Sequence, residues 1–134
     1  MVGKERAAKL APDREYAHLF SCGNSKVENA LGIMESHLSS PFTIKDLADQ
    51  VNITPSGLLA AFNRHAGIGP MEVWRNMRLS HSRWLLLNTN RTITQIAYEC
   101  GFSDCAHFSR WFQKKYGTSP TRFRMVRKDS PKAT

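Results

Sequence analysis

An all-α fold, with two helix-turn-helix subdomains joined by a long connecting helix, is what this chain of 134 residues predicts. Three observations point there. The stretch TIKDLADQVNITPSGLLAAFNRHAGIGPMEVW, residues 43–74, is echoed by TITQIAYECGFSDCAHFSRWFQKKYGTSPTRFR, residues 92–124. Thr43, Ile44 and Ala48 align with Thr92, Ile93 and Ala97 at an offset of 49; after one extra residue in the second turn, Phe62, Gly67 and Pro70 align with Phe112, Gly117 and Pro120 at an offset of 50. Each copy has a short amphipathic helix (Leu47, Ala48, Val51; Ile96, Ala97, Cys100), a tight turn through Asn52 or Gly101, and a longer second helix. No segment shows the alternation of a strand.

About seven helices follow in order. Residues 1–24 carry Pro12, Gly23 and mixed charge, and read as a leader or linker. Ser25 is placed to cap a helix over 26–38, where Val27, Ala30, Leu31, Met34 and Leu38 form one apolar stripe that Ser39-Ser40-Pro41 ends. Thr43 caps a short helix over 44–51. Thr54-Pro55 is an N-cap followed by proline at the first helical position, launching a helix that Gly67 stops near Ala66. Gly69-Pro70 starts a long helix to about Leu87. The second copy adds helices over 94–100, 104–116 and 120–127. The domain plan is a leader at 1–24, a first subdomain at 25–69, the connecting helix at 70–88, a second subdomain at 89–127 and a flexible tail at 128–134.

The net charge of +8 is unevenly spread. Residues 75–128 hold eleven Lys/Arg against Glu99 and Asp104, a balance of +9, whereas residues 26–74 balance at −2. A basic field of that density attracts a phosphate backbone through counterion release. The second helix of a helix-turn-helix fits the major groove of duplex DNA, so repeat and charge point to the same partner. The connecting helix, 18 residues over 70–87, would span about 27 Å, enough to hold two reading heads in adjacent grooves with some bending of the DNA.

The helical wheel separates core from reading face. In the second copy Phe108, Trp111, Phe112 and Tyr116 fall on one side, while Ala106, Ser109, Arg110, Gln113 and Lys114 fall on the other, the candidate DNA face. In the first copy Leu58, Ala61 and Phe62 point inward and Ser56, Leu59, Ala60 and Asn63 outward. Arg110 is the sharpest candidate reader, since an arginine fork pairs bidentately with guanine O6 and N7. The aromatics at this spacing form a core rather than a stacking platform for single strands.

Other functions find little support. With 41% hydrophobic residues the chain has material for two small cores, and no apolar run approaches the roughly 18 residues of a membrane span. The N-terminus lacks the apolar stretch of a secretory signal. Cys22, Cys100 and Cys105 form no C-x-x-C pair; Cys100 aligns with Val51 and reads as a core thiol in a reducing cytosol. His65, His81 and His107 are scattered, without a catalytic arrangement or a phosphate-cradling glycine loop. No catalytic residue, metal or cofactor is expected, and the expected location is cytoplasmic.

From Arg78 to Pro120, RLSHSRWLLLNTNRTITQIAYECGFSDCAHFSRWFQKKYGTSP carries R-L, L-L, I-A, G-F-S-D, F-S-R-x-F and G-x-S-P elements. On these residues the chain resembles the AraC/XylS family of bacterial transcription regulators over about residues 25–124. The resemblance implies a transcription regulator, usually an activator, that sets two recognition helices in adjacent major grooves of promoter DNA and recruits RNA polymerase. A monomer on DNA is expected from the repeat itself, because the two units are covalently tied in direct-repeat order. The segment ALGIMESHLSSPFTIKDLA looks most like the branch with an N-terminal amidotransferase-like sensing domain. That domain has no room here, so a DNA-binding fragment or a stand-alone short regulator is expected, with a truncated DNA-binding competitor as the alternative. Family members that repair alkylated DNA carry a reactive, metal-bound cysteine upstream, whereas Cys22 stands alone. The chain departs from the family at Ala60, where an arginine is frequent, and at Ser82, where alanine is usual. Cys105 and Ala106, at positions that approach bases in the family, offer apolar contact to a thymine methyl.

Overall fold

The computed structural model describes residues 17–40 and 42–129. Among these residues there are seven α-helices, one short 3-10 turn and no strand. The helices are α1 (Ser25–Ser36), α2 (Ile44–Gln50), α3 (Pro55–Ala66), α4 (Pro70–Asn88), α5 (Ile93–Glu99), α6 (Cys105–Tyr116) and α7 (Pro120–Asp129). None is long and apolar enough to cross a membrane.

The duplicated sequence builds duplicated caps. Thr43 and Thr92 each open a short helix with a capping box: Thr43 Oγ1 accepts from the Asp46 N–H at 3.1 Å and Thr92 Oγ1 from the Gln95 N–H at 3.0 Å, while Asp46 and Gln95 reach back to the threonine N–H groups. Thr54 caps α3 and Asp104 caps α6, and both helices end on a left-handed glycine, Gly67 at φ 78° and Gly117 at φ 80°. At α1 the cap is Asn24, not Ser25. The Asn24 amide oxygen reaches two orphan N–H groups, Lys26 at 3.0 Å and Val27 at 3.1 Å, which places Ser25 inside the first turn. The same helix stops at Ser36, short of Leu38: His37 leaves the helical region at φ −127°, ψ 45°, and its N–H turns to the Met34 carbonyl.

Part of the expected leader is structure. Residues 17–21 form the 3-10 turn Ala17–Ser21, and Leu19 is completely buried in the first core, with Val27, Leu31 and Met34 of α1. The apolar residues around it, Ala17, Phe20 and Cys22, are too few to show a period, so the burial of Leu19 has no signature in the pattern. Residues 1–16 lie outside the described residues. At the other end α7 takes in Lys128 and Asp129 of the expected tail, and residues 130–134 lie outside the described ones.

There are two cores, and α4 belongs to both. Val73, Trp74 and Met77 pack into the first with Leu47, Ala48, Leu58 and Phe62; Leu79, Leu85 and Leu86 pack into the second with Ile96, Ala97, Phe108 and Phe112. The shared helix is held at its far end by Arg124 of α7. Its guanidinium donates to the carbonyls of Leu86 at 3.1 Å and Thr89 at 3.0 Å, and also to Arg91. A cation there satisfies orphan acceptors and complements the negative end of the helix dipole. Ser82 is fully buried in α4 and donates to the Leu79 carbonyl at 2.6 Å, so a hydroxyl fits where only a small side chain does.

Candidate nucleic-acid interface

The reading helices α3 and α6 are both 12 residues long and correspond position by position at the offset of 50. Each is anchored by two fully buried side chains, Leu58 and Phe62 in α3, Phe108 and Phe112 in α6. With those faces turned inward, the 3.6-residue period turns the candidate readers outward. Ser56, Leu59, Ala60 and Asn63 are exposed on α3; Ala106, Arg110, Gln113 and Lys114 are exposed on α6, with Cys105 and Ser109 half-buried at the edge. The structure thus brings each set of candidates together on one helix face.

The aromatic side of α6 is less uniform than the wheel implies. Phe108 and Phe112 are core, but Trp111 is only half-buried and sits under the guanidinium of Arg75, 3.7 Å from the ring centroid. Its indole N–H donates to His107 Nε2 at 3.0 Å. Trp111 therefore ties the reading helix to α4. Its counterpart in the first copy is Ala61, with no ring to offer Arg75.

The positive segment divides into structural and available charge. Arg78 is enclosed by aromatic rings and Arg124 caps α4; Arg83 lies over the rings of Tyr116 and Phe123, and Arg91 is ion-paired with Glu99. Arg110 and Arg122 are exposed, and so are Lys114 and Arg127, although their charged ends lie 5.1 Å from the Trp111 and 5.7 Å from the Phe123 ring centroids. Composition counts all of these alike, whereas stacking on an aromatic face or capping a helix absorbs a guanidinium.

Arg64 is a residue the wheel reading leaves out. It is exposed on α3 at the position equivalent to Lys114, and with Asn24, Gly57, Ala60 and Ala61 it lines a cleft of about 220 Å³ beside the reading face. The repeat offset alone is enough to find it. It gives the first head a cation at the flank of an otherwise neutral surface.

A family model described as a helix-turn-helix domain matches residues 47–125. The chain is 30% identical over 126 residues to the HTH-type transcriptional regulator CdhR of Pseudomonas aeruginosa, an alignment covering 94% of this chain and 38% of that protein. It is 29% identical over 104 residues to the HTH-type transcriptional activator RhaS of Enterobacter sp. (strain 638), covering 78% of this chain and 37% of that one. It therefore spans less than two fifths of these curated relatives. Among solved structures it is similar to a transcriptional regulator from Chromobacterium violaceum described by AraC-type DNA-binding domain-containing proteins. The TM-score is 0.73 at 30% identity, covering 75% of this chain and 90% of the other.

Proposed function

The chain belongs to the AraC-type family of helix-turn-helix DNA-binding regulators, and from that premise we propose that it sets α3 and α6 in adjacent major grooves of one promoter site. One observation carries this reading: two equivalent 12-residue helices, each with an exposed face, are mounted on a single helix, α4, that enters both cores. At 19 residues α4 is about 28 Å long, against the 34–36 Å that separates successive grooves on one side of a duplex. The remaining distance falls to the width of the heads and to bending of the DNA. Ser56, Leu59, Ala60 and Asn63 face one groove, and Cys105, Ala106, Ser109, Arg110, Gln113 and Lys114 the other. The chain acts as an activator, a role supported by the name of its relative RhaS; contact with RNA polymerase is what the family resemblance adds to that role. A promoter–reporter assay with this chain expressed alone reads the sign of that regulation.

Duplex binding is tested by its salt dependence. Arg64, Arg110, Lys114, Arg122 and Arg127 are exposed cations; at about 0.9 per neutralised phosphate, they set a log–log slope of about −4.5. Lys114→Ala weakens binding to every sequence and flattens the slope by about 1. A slope near zero between 50 and 200 mM salt, scales on which such contacts lose orders of magnitude, would remove the DNA reading.

A further inference from the structure

The two heads touch at a small contact beside the connecting helix. The Arg78 guanidinium, from the middle of α4, lies 4.2 Å from the ring centroid of Trp74 and 4.5 Å from that of Phe102. Its Nη1 donates to the Gly101 carbonyl at 2.8 Å. Trp74 belongs to the first core and Phe102 to the second, so one side chain is stacked on both. Burial, with Arg75 nearby, lowers its pKa from 12.5 to about 10, which leaves it cationic at neutral pH and keeps the ring contacts electrostatic.

Gly101 closes the contact from the other side. It turns the chain at φ 85°, and a Cβ placed on it would stand 2.5 Å from the carbonyl oxygen of Leu38, in the first subdomain. The equivalent turn of the first copy uses Asn52 at φ 59°, exposed to solvent. The turn itself therefore accepts an asparagine, a residue that visits the left-handed region. What demands a glycine at 101 is the neighbouring head. A single helix leaves bending and twisting freedom between the bodies at its ends; a second contact beside the helix axis removes it.

We propose that Arg78 and Gly101 form an inter-head lock that fixes the relative phase of α3 and α6, so that the chain discriminates the spacing of its two half-sites. Arg78 is thus a positioning residue, acting on DNA through the orientation of the heads. One base pair more between half-sites shifts the second by about 3.4 Å and about 35° around the duplex axis, which a locked pair cannot follow. The consequence for DNA rests on the function proposed above; the lock itself rests on the protein's geometry.

The test uses the full chain and three variants. Gly101→Asn keeps the turn, as Asn52 shows, and drives a Cβ against Leu38. Arg78→Met keeps the apolar stem and removes the guanidinium, and Asn52→Gly alters the other turn as a control. In the free proteins, residual dipolar couplings of wild type and control fit one alignment tensor for both heads, and those of the two lock variants require two. On a duplex selected from random sequence, one inserted base pair between half-sites weakens the wild type about tenfold or more and either lock variant about threefold or less. Binding of an isolated α6 half-site stays the same. If Gly101→Asn fails to fold, Arg78→Met decides alone. A single tensor in both folded variants, two tensors in the wild type, or an unchanged spacing penalty overturns the lock. Loss of all duplex binding by the wild type overturns the DNA reading instead, and the couplings then still decide the lock.

Discussion

Cys100 lies in the second core with no exposed surface, and burial, helped by Glu99, pushes its thiol from 9.0 up to about 12 against the opposing pull of Arg78 and Arg91. Between about pH 9 and 12 the folded chain keeps a proton that the unfolded chain has released. The stability it represents is present in full below pH 9 and is lost as pH rises through that window. Cys100→Val, which installs the residue of the equivalent position Val51, costs under about 1.5 kcal/mol at pH 7 and removes this share of the alkaline decline. Thermal melts of both proteins between pH 8 and 10.5 read the difference; parallel curves would show that the thiol contributes none of it. The role of Cys100 was readable because alignment with Val51 supplies an apolar counterpart. Arg78 was not readable: a wheel drawn on α4 sees only α4, and the partners of Arg78, Gly101 and Phe102, come from a turn 23 and more residues away. Asn24 and Ser25 are both good caps by type, and only the geometry of the N–H groups chooses between them.

Helix by helix, the repeat is conserved in construction and unequal in surface. Caps, glycine stops and buried pairs recur between α3 and α6, which is why the outward residues of both helices followed from the period alone. Their chemistry differs. Arg110 stands where Ala60 stands, Gln113 where Asn63 stands, and Leu59, 40% exposed, is apolar where α6 has Ser109. An apolar face senses thymine methyls, while a bidentate arginine–guanine pair discriminates by about 1–3 kcal/mol. Arg110→Ala therefore costs about 1–3 kcal/mol and relaxes preference at one or two base pairs in one half of the site. Ser56→Ala and Leu59→Ala each cost under about 1 kcal/mol and change the other half only slightly. Titration of the three variants against singly substituted sites decides the matter: equal damage from Leu59→Ala and Arg110→Ala would make the first head an equal reader. The charge split between the halves favours α6 less than composition suggests, because Arg78, Arg83 and Arg124 serve the fold, and Arg64 supplies α3 with a cation.

At the scale of the whole chain, the two heads follow one another in the same sequence order, and α4 carries both. Dimeric helix-turn-helix proteins reach two grooves through a two-fold axis, and their operators mirror it as inverted repeats. In the complex proposed above the second groove is reached covalently, so no symmetry is needed and none is imposed on the site. Because α3 and α6 present different side chains, the proposed complex pairs them with two halves of different sequence and has a direction along the DNA. A chain that contacts RNA polymerase from such a site does so in one orientation only. Sedimentation of the chain with a 20-base-pair duplex carrying a selected site should show one chain per duplex at saturation, and inverting one half-site should cost about as much as deleting it, several kcal/mol on the scale of specific over non-specific binding. A strict requirement for two chains on an inverted repeat would mean that symmetry, rather than the connecting helix, brings the reading heads together.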